Sequence, residues 1–301
     1  GWGRMRFQTP EKKSEKTISG KHAPLFCRFG RIFYLCGFDP NFMTRINTPK
    51  EVLALAGSSA ADKLQNTAGK TLILAFLAGA YIAIGGLSSL MAGFGFPGAA
   101  EAPGFQRLLS GAVFPLGLIL VVFTGAELFT GNNAVLMPGA LARRYGWGKV
   151  ARNWTLVWMG NFAGALFFTY FMVVLPGVLS SEMWREAACN IAQAKVSLPW
   201  STVFLRGVGA NWLVCLAVWL GMSANDVPGH MLGLFFPIMC FVVIGYEHCI
   251  ANMFFIPLGM LLGAPVSAAE LFAGNLVPAT LGNIVGGGLF VGGLYWYLNR
   301  K

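Results

Sequence analysis

The sequence predicts an all-α, polytopic membrane protein, six transmembrane helices forming two inverted three-helix repeats with the second and fifth spans broken. Three observations carry that prediction. Of 301 residues, 55% are hydrophobic and 11% charged, with a mean hydropathy of +0.61; soluble domains carry about 25% charged residues. The apolar runs are of the length that crosses a bilayer, about 20 residues as a helix. A polar motif inside one long run recurs inside another.

Residues 1–64 form the first segment, a basic tail without a span. Its first fifty residues hold ten Lys/Arg against three Asp/Glu, most of the chain's net charge of +10. A basic, acid-poor segment of this kind suits a cytosolic tail at an acidic membrane surface or an organelle transit sequence. The membrane domain is 65–301. No basic stripe runs through it, and no nucleic-acid partner is expected.

Candidate spans follow at 70–92, 108–142, 151–176, 202–222, 229–263 and 275–298. The second and fifth exceed one crossing and carry polar residues midway. GAELFTGNN places Gly125, Glu127 and Asn132 as GYEHCIANM places Gly245, Glu247 and Asn252, each pair 120 residues apart. The third and sixth spans match too: Asn153 and Asn161 in NWTLVWMGNFAG correspond to Asn275 and Asn283 in NLVPATLGNIVG. Three spans per copy is odd, so the second copy enters the membrane inverted, and a working site is expected mid-membrane between the halves. Arg143, Arg144, Lys149 and Arg152 after the second span, with Arg300 and Lys301 after the sixth, place that loop and both termini on the cytoplasmic or equivalent side.

Unwound backbone at membrane depth survives where it is packed in protein or lines a cavity. The two G-x-E-x4-N segments are therefore the expected helix breaks. The glycines permit the turn, while Glu127, Glu247, Asn132 and Asn252 are expected to bond the amides or carbonyls it exposes. The six cysteines lack a CxxC pair, and no metal-ligand spacing, nucleophile motif or cofactor loop is present. No metal, cofactor or enzymatic activity is expected.

These residues resemble the formate/nitrite transporters. The blocks VFPLGLILVVFTGAELFTGN, KVARNWTLVWMGNFAGAL, GANWLVCLAVW, GYEHCIANMFFIPLGM and NLVPATLGNIVGGGL carry the resemblance over roughly 65–299. It implies an aquaporin-like protomer without Asn-Pro-Ala signatures, a homopentamer with one pore in each protomer, and small monovalent weak-acid anions as substrates. Nitrite and formate lead, with bicarbonate, lactate or acetate as alternatives. It further implies His248 as the central pore histidine, Thr130 facing it, Asn211 contacting substrate and Lys195 in a vestibule. Phe114, Leu118 and Phe241 correspond to one apolar constriction; Leu128, Phe129 and Val214 correspond to the other.

Blander readings stand beside these. A histidine on an apolar face is often a satisfied core residue, Asn211 is of a kind that bonds helix to helix, and Lys195, in what reads as a weakly amphipathic loop, can snorkel. His22 and His230 read as tail and loop residues. A neutral-solute channel is the rival function, but it has no need of an intramembrane histidine. The partners expected are small anions, protons, the bilayer and further copies of the chain, in a plasma membrane or an organelle envelope.

Overall fold

The computed structural model describes residues 46–96, 98, 99 and 101–300. Residues 1–45, with His22, Cys27, Cys36 and the targeting reading, lie outside the described residues.

The first helix, α1 (Pro49–Gln65), starts on a capping box. The Thr48 hydroxyl accepts from Glu51 N–H, while the Glu51 carboxylate accepts from Thr48 N–H at 2.7 Å. Its Val52, Ala56 and Ala60 are buried. Asn47 ties its start to the body, donating from its backbone and its side chain to the Ser223 and Met222 carbonyls, each at 2.8 Å.

The first span is α2 (Ala68–Phe94), capped by Thr67. The second is α3 (Pro103–Val113) and α4 (Leu116–Thr124), bent at Phe114–Pro115, then a break and α5 (Phe129–Leu141). The third, α6 (Trp147–Phe167), runs on in π-helical turns over Phe168–Val174. The second half repeats the plan. A short helix, α7 (Glu182–Val196), leads into α8 (Trp200–Ser223). The fifth span, α9 (Val227–Ile244), breaks before α10 (Cys249–Leu261). The last rod, α11 (Glu270–Asn299), alternates π-helical with α-helical turns. Six helical stretches among the described residues are long and apolar enough to cross a bilayer, and the molecule is an integral, multi-pass membrane protein.

Two sequence readings are corrected. The stretch holding Lys195 is helical rather than a loop: alanines dominate its middle, and Ala188 and Ala192 lie against Gly259 of α10. His230 belongs to the first turn of α9, begun by the Asp226 side chain accepting from Gly229 N–H at 2.7 Å, and its ring lies 5.3 Å from that of Phe123.

The repeat extends further than its motifs. In each half the third span crosses the first at a pair of glycines. A Cβ on Gly164 would overlap the Phe76 carbonyl, and one on Gly286 the Val208 carbonyl. Phe76 and Val208 are 132 residues apart, so the first spans correspond at a longer offset than the breaks do. At that offset α1 corresponds to α7, and each repeat is a short helix followed by three spans. The boundary at 64/65 therefore falls at the end of a helix that belongs with the first repeat.

Small residues allow such close crossings, on which lipid-embedded helices rely because lipid supplies no hydrophobic drive between them. Gly164→Val and Gly286→Val should each destabilise the detergent-solubilised protein by about 1–3 kcal/mol or more. Gly69→Ala, where nothing lies within 4 Å of the added carbon, should leave the thermal midpoint level or raise it.

Candidate transport pathway

Each break has the same construction. The helix before it ends on a left-handed glycine, Gly125 (φ 71°) or Gly245 (φ 83°), a backbone conformation costly for other residues. One asparagine from the third span of the same repeat then closes the unwound backbone. Asn161 Nδ2 donates to the Ala75 and Glu127 carbonyls at 2.7 and 2.9 Å, and its Oδ1 accepts from Phe129 N–H at 3.0 Å. In the second half Asn283 Nδ2 donates to the Gly207 and Glu247 carbonyls at 2.8 and 3.0 Å, and its Oδ1 accepts from Cys249 N–H at 2.9 Å. Glu127 N–H and Glu247 N–H donate to the Leu74 and Arg206 carbonyls at 3.2 and 3.3 Å.

The glutamate and asparagine side chains of the motif work on each other and on a lysine. Asn132 donates to Glu127 Oε2 at 2.6 Å and to Asn153 Oδ1 at 3.0 Å; Asn252 donates to Glu247 Oε2 and Asn275 Oδ1, both at 2.6 Å. Lys63 of α1 pairs with Glu127 at 3.1 Å, and Lys195 of α7 pairs with Glu247 at 3.0 Å. A buried carboxylate stripped of water needs such a partner. Lys63 escapes the repeat motifs, because its offset from Lys195 differs from that of the breaks.

Two cavities approach the middle of the protein and share no lining residue. The α7 cavity, about 340 Å³, is lined by Lys195, Glu247 and His248 and reaches Phe114 and Phe241. The α1 cavity, about 160 Å³, is lined by Lys63 and Asn132 and reaches Leu118 and Leu128. These four apolar side chains are all buried and belong to one core cluster. On its α7 side the Phe241 ring lies between two others, edge-on to Phe114 at 5.5 Å and stacked on His248 at 5.8 Å.

The two breaks touch each other. His248 Nδ1 accepts from Ala251 N–H at 3.1 Å, capping α10. That bond fixes the proton of the neutral ring on Nε2, which donates to Thr130 Oγ1 at 3.0 Å. His248 stands where the first repeat has Leu128, so the two breaks differ in polarity at this position.

The remaining pathway residues named from the sequence lie off the cavities. Asn211 Nδ2 faces the Thr130 carbonyl, the Asn133 Oδ1 and the Asn283 carbonyl at 3.1, 3.0 and 2.7 Å. Phe129 sets its ring against Trp154 and, with it, lines a separate apolar groove. Val214 is buried in α8 and lines neither cavity. Among the described residues no three His, Cys, Asp or Glu side chains gather as a metal site.

Comparison with known proteins agrees with this architecture. The family model for the formate/nitrite transporter matches residues 50–297. A probable formate transporter of Methanothermobacter thermautotrophicus is 44% identical over 268 residues, covering 84% of this chain and 97% of its own. Among solved structures, a pentameric formate channel with formate bound superposes with a TM-score of 0.70 at 36% identity, over 78% of this chain and 98% of that one. An ion channel of the same family superposes with a TM-score of 0.75 at 28% identity, over 82% and 98%.

Asn161→Ala removes three hydrogen bonds at once and leaves buried backbone groups unpaired, at about 1–3 kcal/mol each. The variant should unfold at markedly lower temperature, and Asn283→Ala should behave alike. Unchanged melting would show that the breaks are held by something else.

Proposed function

Since the chain belongs to the formate/nitrite transporter family, we propose that it carries small monovalent anions of weak acids, formate and nitrite foremost, together with a proton, through one pathway in each protomer of a homopentamer. The observation that supports this most directly is where the two cavities end: one reaches Phe114 and Phe241 and the other Leu118 and Leu128, all buried, which we read as an apolar layer between them, and the two breaks touch through the polar pair His248–Thr130.

The energetics favour a neutral passenger. Moving a bare anion into a medium of low dielectric costs on the order of 20 kcal/mol in the idealised limit. Protonating an acid of pKa about 4 at pH 7 costs roughly 4 kcal/mol. The anion takes up its proton in the cavity, crosses as the acid and ionises again on the far side. A strong-acid anion has no such neutral form within reach and is excluded.

His248 serves this passage as a fixed donor. A proton added to Nδ1 would set N–H against the N–H of Ala251 and remove the cap of α10, so the proton of the substrate comes from cavity water. Nε2–H offers a hydrogen bond to a substrate oxygen in place of the one it gives Thr130, and the threonine hydroxyl has a hydrogen of its own to donate. The passing acid thus meets two polar groups within an otherwise greasy layer.

In proteoliposomes, labelled formate or nitrite uptake should rise as outside pH falls, by up to about tenfold per unit for one proton per anion, and nitrate should pass far more slowly. His248→Leu, which copies the residue of the other repeat, should lower formate flux about tenfold, the equivalent of one hydrogen bond of about 1.4 kcal/mol. Equal and pH-independent rates for nitrate and formate would overturn the proposal.

A further inference from the structure

The α7 cavity is lined by three cationic side chains, Arg107, Lys195 and Arg206, of which Lys195 is neutralised by Glu247. In the α1 cavity Lys63 is likewise neutralised by Glu127. The two cavities therefore match in their lysine–glutamate pairs and differ by two arginines.

Each arginine is the single charged residue of its span, Arg107 in Pro103–Thr124 and Arg206 in Trp200–Ser223. An ionisable side chain inside an apolar span is costly to keep and commonly marks a pathway. Arg107 is partly engaged: its guanidinium makes long contacts, at 3.5 Å, with the Val243 and Ile244 carbonyls at the end of α9. Arg206 makes no ion pair or side-chain hydrogen bond among the described residues; it is exposed and is one of the residues lining the cavity.

The scaffold does not call for an arginine there. The backbone carbonyl of Arg206 accepts from Glu247 N–H, and in the other half Leu74 does the same for Glu127 N–H. Leu74 and Arg206 are 132 residues apart, the offset that relates Lys63 to Lys195. A leucine thus performs the structural task, and the guanidinium of Arg206 is surplus to it. Glu101, Glu182, Arg185, Glu186 and Glu270 are exposed on the neighbouring segments, but none of them lines the cavity.

We infer that Arg206, assisted by Arg107, is an anion-capture station in the α7 cavity. It raises the local concentration of small anions ahead of the apolar layer, and the α1 cavity has no counterpart. This rests on the transport reading above and adds a residue to it. Charges lining a low-dielectric cleft focus their field into it, whereas charges beyond about 8 Å are screened at physiological salt. The arginine acts on occupancy and not on the crossing, so its effect belongs to low concentrations. In a passive pathway, flux at low concentration must fall equally in both directions when it is removed.

The test is labelled-formate flux in proteoliposomes at low ionic strength. Arg206→Gln should lower flux at low formate about three- to tenfold in both directions, leave saturating flux within about twofold, and raise the half-saturating concentration. Arg206→Lys should recover most of the loss, and added salt should bring the native protein down towards Arg206→Gln. An unchanged concentration dependence in Arg206→Gln, or a lysine no better than glutamine, overturns the assignment. Should the glutamine variant fail to fold, salt-insensitive flux through the native protein overturns it equally. Proton coupling is read separately: pH-independent flux in native protein and variant alike would sink the proton-linked reading, while a raised half-saturation in Arg206→Gln would still support capture.

Discussion

Unwound backbone in the middle of a membrane protein must find its hydrogen-bond partners within the protein, and in this fold one asparagine per repeat supplies three of those bonds at each break. Asn161 and Asn283 each give two hydrogen bonds and accept one, holding the chain before and after a break as a single clamp. The rest of the pathway depends on that clamp. It fixes where α5 and α10 begin, hence where Thr130 and His248 stand, and hence that the two side chains reach each other. The glutamates have a different task from the one expected of them: they bond side chains, Asn132 and Lys63 in one half, Asn252 and Lys195 in the other.

On this symmetric frame the chemistry is asymmetric. The breaks present Leu128 in one half and His248 in the other, and the carbonyl that receives the break's amide belongs to Leu74 in one half and Arg206 in the other. In each case the backbone does the same work while the side chain differs. Differences of that kind are where a duplicated scaffold discloses what it is for, since packing and hydrogen bonding explain the residues that match and leave the mismatched ones to function.

Much of this was legible in the sequence. The charge deficit and the run lengths located the spans, and the G-x-E-x4-N and G-N-x-x-G motifs marked both breaks and the asparagines that close them. Lys63 was hidden because α1 is short and amphipathic, outside every apolar run, and its offset from Lys195 is 132 where the motifs show 120 and 122. The helical state of α7 was missed because its apolar face is made of alanines, which give little periodic signal although they pack closely on α10. That the Asn211 amide faces three oxygens of the frame with two hydrogens to give, and that Phe129 turns to Trp154, are consequences of tertiary placement, to which spacing along the chain is blind.

Each clamp draws all its partners from its own repeat: Ala75, Glu127 and Phe129 for Asn161, Gly207, Glu247 and Cys249 for Asn283. The Thr130–His248 contact, like the bonds from Asn211 to Thr130 and Asn133, needs both copies. An ancestor encoding one four-helix unit could therefore have closed its own break before any fusion, pairing head to tail with an identical sibling. Positions 128 and 248 lend no side chain to either clamp, so a leucine in one copy and a histidine in the other leave both breaks closed.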